Sequence, residues 1–453
     1  MVQTEKVPDT HLGAGHRPKS TRPRGTLGRS YQALIVLYVA TVVLLSFQEG
    51  LTLGAKIAGI LLGLAFLLQM FAHGKQLSVP KSYKHWLAWF LFALVTIPWA
   101  NSAEIAAFKA LSLVQIVPVA FVLTTLLVWN GTTRFFRIAI VGTALIASGM
   151  VWIDPRPFTG IDGRVFGPLG NANSFGGMLV VAVIFLFAAI AGSKNTLLRL
   201  LYLGGVGALV YMILQTGSRQ ALAGILIAGL VTLLAYLSRS GRLKLMPLLV
   251  AVVILTLSAP IAFSLVSKSE FWFRTVTALN TLETGNISEA DNSLIGRVWL
   301  YGRALDVALA NPMFGVGLDN FRTAHGAEIG RNVGTYSHSN YMEILTGTGL
   351  PGFLMYFSIY VLWLQALYAN RRLIARPEMF SRYTSLITVV VTFMAMDFTS
   401  VSYYDKFDWL IFAWLIAEFE LLRREQLRAM SRQRVEAATD LTTPSLPVTR
   451  IQI

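Results

Sequence analysis

The chain has 453 residues, of which 55% are hydrophobic and only 13% are charged. About a quarter of the residues of soluble globular domains are charged, so this composition excludes an ordinary soluble domain and predicts an all-α polytopic membrane protein. The formal net charge of +15 lies in tails and short loops rather than in one patch, which argues against nucleic acid as a partner. Because the chain has no cysteine, disulfide braces and thiolate chemistry are also excluded.

Apolar segments follow one another along most of the chain. A helix that crosses a bilayer needs roughly 20 mainly apolar residues. On that rule the sequence contains about twelve transmembrane helices, at 31–47, 51–72, 84–100, 104–128, 134–153, 174–192, 197–216, 219–237, 244–266, 350–369, 381–399 and 403–422.

The predicted spans divide the chain into five parts. Residues 1–30 are basic and interrupted by proline and glycine, which predicts a disordered cytoplasmic tail. Spans one to nine occupy residues 31–266, and residues 350–422 hold spans ten to twelve. Between them, residues 267–349 are too polar for a span and too long for a simple connection, which predicts a periplasmic loop subdomain. Residues 423–453 are predicted to form a second cytoplasmic tail.

The orientation follows from the short connections. Lys and Arg concentrate in the connections on the side of the N-terminus, and such residues mark the cytoplasmic side. This places both termini in the cytoplasm and the long loop outside. Lys56, Lys109, Arg219 and Asp397 then all lie near the outer ends of spans. Ionisable residues there are costly and favour a pocket for an anionic group, although snorkelling to the interface is the alternative for any single lysine.

The outer loop contains the sequence DNSLIGRVWLYGRALDVALANP, whose periodicity predicts an amphipathic helix capped by Asn292 or Ser293. Its predicted apolar stripe consists of Ile295, Val298, Trp299, Leu305 and Leu309. Arg297 falls in the first turn, where the helix dipole disfavours a cation, so that a bound phosphate would relieve the conflict. A surface ion pair with Asp291 or Glu289 is the alternative.

A second outer segment, TYSHSNYMEILTGTGLPG, covers residues 335–352. Asn340 and Glu343 have the spacing of a capping box, which predicts a short helix that begins just after His338. Gly347 and Gly349 are expected to break this helix before Pro351 opens the next span. His338 would be an accessible base near neutral pH, although a loop histidine can equally serve as an ordinary hydrogen-bonding residue. His325 is the other histidine that the topology places outside.

The connection DPRPFTGIDGRVFGPLGNANSFG, residues 154–176, is rich in glycine, proline and asparagine, which predicts a shaped loop. Residues Asn171 to Ser174 can cap span six, and Arg164 adds another outer cation. A tight entry into span six would be sufficient to explain these residues.

Three motifs together resemble a known family. They are TGSRQALAG at 216–224, GRVWLYGRALDVALANPMFGVGLDNF at 296–321 and SHSNYMEILTGTGLPGF at 337–353. In this order they resemble the O-antigen ligase/polymerase family of bacterial envelope glycosyltransferases, over roughly residues 160 to 400. The twelve-span plan with a long loop before span ten is similar to that family as well.

The resemblance implies an activity at the periplasmic face of the bacterial inner membrane. The donor is a glycan on undecaprenyl diphosphate among the membrane lipids, the acceptor carries a hydroxyl, and neither a cofactor nor a metal is expected. By motif, Arg219 and Arg297 would hold the diphosphate and His338 would activate the acceptor. Ser339 separates His338 from Asn340, whereas many members have His-Asn directly, so only the histidine carries over. Candidate substrate contacts are Arg164, Lys56, Lys109, Asn340 and Tyr336.

Three functions remain as alternatives. Ligation of O-antigen to lipid A–core is favoured by the modest length and the single outer subdomain. A polymerase of O-antigen or exopolysaccharide would use a second carrier-linked repeat as the acceptor. A lipid-linked sugar flippase or transporter would show charges at mid-membrane and paired repeats, which the sequence does not contain.

Overall fold

The described residues of this computed structural model form thirteen α-helices. The structure describes residues 26–45, 52–72, 79–131, 133–161, 163–240 and 292–442, together with residues 74 and 77. In chain order the helices are α1 (Thr26–Leu44), α2 (Thr52–Ala72), α3 (Lys81–Val95), α4 (Ala103–Asn130), α5 (Arg134–Ile153), α6 (Ala172–Gly192), α7 (Thr196–Gln215), α8 (Arg219–Ser240), α9 (Asn292–Ala310), α10 (Phe321–Glu328), α11 (Asn340–Ala369), α12 (Pro377–Met396) and α13 (Lys406–Thr442).

The helices confirm an all-α polytopic membrane protein. Among the described residues, eight helices are long and apolar enough to cross a bilayer. Every predicted span within the described ranges overlaps a helix, although α11 begins at Asn340 rather than at 350 and α13 ends at Thr442 rather than at 422. Predicted span nine, at 244–266, and loop residues 267–291 lie outside the described residues.

Two helices extend into segments that were predicted as tails. Helix α1 begins at Thr26, before the predicted boundary at residue 31. Helix α13 continues to Thr442, well beyond residue 422, where the predicted span ends. Just before that point, Glu420 pairs with Arg423 and Arg424 at 2.9 Å, three and four residues ahead. Such pairs support a helix in water, where hydropathy gives no signal.

Helices α6 and α13 form the interior of the bundle. The apolar part of α6 is 72% buried, whereas that of α2 is 17% buried, so α2 lies at the perimeter. In α13 the continuous run from Trp409 to Ala417 is buried on every side. Trp86 of α3 contacts the rings of Trp409 at 4.9 Å and Phe412 at 4.5 Å, which joins α3 to the central helix.

One end of the bundle is held by a buried ionic network. Glu418 of α13 accepts hydrogen bonds from the Arg382 guanidinium of α12 and from the Thr133 hydroxyl just before α5. Arg382 also donates to Glu425 at 2.9 Å. Since a buried carboxylate is tolerated when its charge and lone pairs are satisfied, this network joins α5, α12 and α13.

Helix α9 forms as predicted, but most residues of its predicted apolar stripe are exposed instead of buried. Val298 and Leu309 are 65% and 70% exposed, and Trp299 and Leu305 are exposed as well. The buried face instead consists of Leu300, Ala304 and Ala308. Leu300 and Ala304 pack with Phe321 of α10 and Met342 of α11. Small residues at intervals of four let α9 approach its neighbours closely, and a rule that follows only large apolar residues misses that face.

Helix α11 contains a break at Gly349, as predicted. Gly349 has a φ of 67°, a conformation that favours glycine. The carbonyls of Thr346 and Gly347 are thereby free to accept from the N–H groups of Val316 and Gly317, at 2.8 and 3.0 Å. The segment 312–317, named here the glycine joint, is therefore joined to α11 backbone to backbone.

Two glycines in neighbouring helices test how closely the bundle is packed. A Cβ atom on Gly176 of α6 would lie 2.6 Å from the Cβ of Ala221 on α8, whereas one on Gly204 of α7 would meet nothing within 4 Å. We expect Gly176→Ala to lower the free energy of unfolding by about 1–3 kcal/mol through overpacking. Gly204→Ala should be neutral or stabilising by up to about 1 kcal/mol, since alanine favours the helix. Thermal unfolding midpoints in one detergent measure both, and equal shifts would contradict the packing.

Candidate functional site

His338 occupies a strained turn just before α11. Its φ of 58° is uncommon for a residue with a side chain. The Tyr301 hydroxyl of α9 lies 3.5 Å from the His338 carbonyl oxygen and donates to the Phe398 carbonyl at 2.6 Å. Strained backbone of this kind persists where the surroundings hold it, and it is common at functional sites.

The residues on either side of His338 fix this turn. Ser339 is the N-cap of α11 and accepts from the Met342 N–H, so the prediction of Asn340 as the cap was wrong by one residue. The reason is that the Asn340 N–H donates to the Asp397 carbonyl at 2.8 Å, which sets the first helical residue there. Glu343 accepts from the N–H and hydroxyl of Ser337, at 2.9 and 2.7 Å, instead of closing a capping box.

Asn340 lies behind the turn rather than at its surface. It is fully buried, and its side-chain oxygen accepts from the Tyr403 N–H at 3.2 Å. Its amide nitrogen has no hydrogen-bond partner among the described residues. The burial does not agree with the predicted substrate contact and indicates a residue that supports the turn.

The group named here the histidine cluster consists of His338 and three residues near it: Arg297, Tyr301 and Tyr336. The rings of Tyr336 and His338 are 4.2 Å apart between centroids. Arg297 lies close enough to act electrostatically on all three others. Burial, helped by the positive charge of Arg297, lowers the pKa of His338 to about 4. The imidazole is therefore neutral at pH 7 and can accept a proton.

A basic cavity of about 370 Å³ adjoins this cluster and shares Tyr336 with it. Arg322, His325 and Arg331 line the same cavity. Arg322 donates to Asp319 at 3.0 Å, while its Nε has no hydrogen-bond partner among the described residues. Guanidinium groups in this arrangement suit phosphate or carboxylate oxygens.

His325 has a different environment from His338. It is buried, stacks on Phe321 at 6.0 Å and meets the edge of Trp299 at 5.0 Å. These contacts indicate that it packs α10 against α9. Of the two predicted outer histidines, His338 is the one that is partly open.

Lys109 lies in an ionic group of its own. Its ammonium is 3.3 Å from the Asp319 carboxylate and 3.3 Å from the centre of the Tyr404 ring. Asp319 also binds Arg322, so it balances two cations at once. Lys109 thus joins α4 to the loop before α10 and approaches the basic cavity through Arg322.

Lys56 is not brought to the histidine cluster. It lines a separate cavity of about 420 Å³ together with Lys406 and Gln115, and the remaining wall is mainly apolar. This cavity lies between α1, α2, α4 and α13. The structure therefore does not bring Lys56 and Lys109 together, and their roles as substrate contacts stay predictions.

The turn between α7 and α8 is contacted by Arg164 and is followed directly by Arg219. Arg164 donates through Nε to the Thr216 carbonyl at 3.1 Å. Arg219 is the first residue of α8 and is half-buried. The predicted cap of α6 is confirmed, and the turn is attached to it, since Asn171 accepts from Ser174 and Ser218 donates to Asn173 at 2.8 Å.

The turn and the histidine cluster lie at the same end of the bundle. Gln220 donates to the Ser400 hydroxyl at 2.9 Å. Ser400 belongs to the connection between α12 and α13, whose Phe398 accepts from Tyr301 of the cluster. The connection between α12 and α13 therefore contacts both the start of α8, next to Arg219, and Tyr301 of the histidine cluster.

Sequence reasoning missed three residues of this site. Tyr301 follows Arg297 by four residues, which puts both on one helix face. Arg322 follows Asp319 by three residues, within the end of the second motif. Glu343 was interpreted only as part of a cap. Spacing could have indicated the first two, whereas the role of Glu343 depends on the tertiary fold.

Parts of the chain match known proteins. Residues 204–357 match the model of the family described as O-antigen ligase. The chain is also 25% identical over 358 residues to the teichuronic acid biosynthesis protein TuaE of Bacillus subtilis (strain 168), covering 75% of this chain and 71% of that protein. The matched range contains Arg219, Arg297, Tyr336 and His338. The resemblance seen in the sequence is confirmed: residues 204–357 of this multi-pass membrane protein match the O-antigen ligase family model.

Proposed function

We propose that the protein transfers a glycan from undecaprenyl diphosphate to an acceptor hydroxyl, as an O-antigen ligase that acts on lipid A–core. The observation that carries this proposal is a neutral, partly open His338 beside Arg297, inside the family domain. The histidine cluster faces the periplasm, both termini lie in the cytoplasm, and the membrane is the bacterial inner membrane.

The arginines act on the leaving group. As the bond from the anomeric carbon to the diphosphate breaks, negative charge grows on the diphosphate, and Arg297 and Arg219 stabilise it. Cations held in advance at such a place contribute on the order of 10² to 10³ in rate for each strong contact. The guanidinium fork also suits the oxygens of a diphosphate.

His338 acts on the acceptor. The acceptor oxygen attacks the anomeric carbon, and its proton passes to the neutral imidazole. General bases contribute roughly 10² to 10⁴ in rate. A diphosphate bound at Arg297 would offset the positive charge that lowers the pKa of His338. Donor binding therefore makes the imidazole a stronger base when the acceptor needs it.

Polymerisation is the second candidate. Its support is the relative named for teichuronic acid biosynthesis, whereas the family model is named for O-antigen ligase. Both reactions use the same donor chemistry and the same base. They differ in the acceptor, which is either lipid A–core or a second carrier-linked repeat.

A transfer assay in proteoliposomes separates these candidates. The donor is an undecaprenyl diphosphate-linked repeat, and lipid A–core and a carrier-linked repeat are offered separately as acceptors. We expect transfer to lipid A–core. Growth of polymer on the carrier would replace ligation with polymerisation, and transfer to neither acceptor by folded protein would reject the enzyme and favour a transporter.

Variants in the same assay test the roles of the cluster. We expect His338→Ala to lower the transfer rate by about 10² to 10⁴ and Arg297→Gln by about 10² to 10³. Arg303→Gln is the matched control, because Arg303 lies on the same helix but pairs with Asp306 and Glu328. The assigned roles fail if all three variants retain activity, or if the control loses as much as the others.

The pH dependence tests whether His338 is the base. Its lowered pKa predicts that kcat/KM, which reports the free enzyme, is maintained as the pH falls and is lost near pH 4 instead of near 6.5. Arg297→Gln removes the charge that disfavours the imidazolium, so the acid limb should move upward. Arg303→Gln should leave the profile unmoved. A wild-type limb near 6.5 that Arg297→Gln does not shift would assign His338 a positioning role only.

A further inference from the structure

A further cavity, of about 720 Å³, opens at the end of the bundle opposite His338. It lies between α5, α6, α7 and α12, at the N-terminus of α5 and the C-terminus of α6. Arg134, Arg137 and Tyr202 line it together with apolar residues that include Phe185 and Leu186. None of these residues belongs to the histidine cluster or to its basic cavity.

Arg137 brings a surplus positive charge to this cavity. Within the described residues, Glu418 and Glu425 are both engaged by Arg382, and Glu418 also accepts from Thr133. Arg137 lies within electrostatic reach of Glu418, but Arg382 opposes that attraction. The buried Nε of Arg137 has no hydrogen-bond partner among the described residues. Since buried charges are normally paired, this group favours an anionic ligand.

The lining of the cavity changes from charged to apolar residues along α5. Gly142 follows Arg137 by five residues, which is about 7.5 Å along the helix axis. It lines the same cavity, and a Cβ there would meet nothing within 4 Å. A free phosphate would use only the arginine end. A molecule with an anionic head and an apolar chain matches both ends.

We propose that this cavity binds one anionic phospholipid from the leaflet opposite His338. Arg137 and Arg134 hold the phosphate, with Tyr202 as a further hydroxyl donor, and one acyl chain lies along Gly142 and Phe185. The match is one of charge and shape: guanidinium groups pair with phosphate, and the deeper wall buries hydrocarbon. The site is independent of the proposed transfer reaction.

Lipid binding to the purified full chain in detergent tests the proposal. Native mass spectrometry would compare phosphatidylglycerol with phosphatidylcholine of the same acyl chains, without any glycan donor. We expect phosphatidylglycerol to bind on the order of tenfold more tightly than phosphatidylcholine. Arg137→Gln should reduce its affinity by on the order of tenfold, the usual effect of losing a charge-assisted hydrogen bond.

A cavity-filling variant keeps the test decisive if Arg137→Gln does not fold. Gly142→Phe should fill the apolar part and abolish binding of phosphatidylglycerol. The matched control is Gly149→Phe, on the same helix, because its Cβ also meets nothing within 4 Å and it lines a different cavity. Equal affinity for the two lipids, or equal binding by Gly142→Phe and wild type, would overturn the proposal. Displacement of the lipid by inorganic phosphate at equal concentration would also overturn it, since the acyl chain would then contribute nothing.

Discussion

The position of His338 depends on Asp397, at the end of α12. The Asp397 carbonyl accepts from the Asn340 N–H at 2.8 Å and from the Ser339 hydroxyl at 3.3 Å. Its carboxylate accepts from Ser402 at 2.7 Å and from Tyr360 at 2.9 Å. One residue therefore joins the start of α11, the body of α11 and the connection before α13. The base proposed at His338 needs a defined position relative to its substrate, and this attachment holds the turn that carries it.

Among the described residues, two groups of buried ion pairs lie at opposite ends of the bundle. At one end, Asp319 balances Lys109 and Arg322, and at the other, Glu418 and Glu425 balance Arg382. These groups join helices, since an unpaired charge there would be costly. Arg137 lines a cavity, and its Nε has no hydrogen-bond partner among the described residues, so it indicates a ligand. A basic residue in a span is therefore informative only after its protein partners have been identified.

The helices could be predicted from the sequence because burial in lipid requires long apolar runs. The buried face of a helix could not be predicted, as α9 shows: Leu300, Ala304 and Ala308 are buried, while Trp299 and two other leucines are exposed. Two alanines give little apolar signal in the sequence, so the face that they form with Leu300 was missed. Motif and loop position single out His338 and Arg297, and the structure brings Arg297 within electrostatic reach of His338. Lys56, Lys109 and Asn340 could not be assigned, because their neighbours come from distant parts of the chain.

The glycine joint constrains how this domain can vary. A Cβ on Gly315 would lie 2.5 Å from the Thr346 carbonyl oxygen, and one on Gly349 would lie 2.6 Å from the backbone of Met313. Both obstacles are main chain, which no exchange of a neighbouring side chain can move. Both glycines also have a positive φ, 65° at Gly315 and 67° at Gly349, which a residue with a side chain rarely adopts. A substitution at either position would therefore force two main-chain segments apart, so the contact between the joint and α11 requires glycine on both sides.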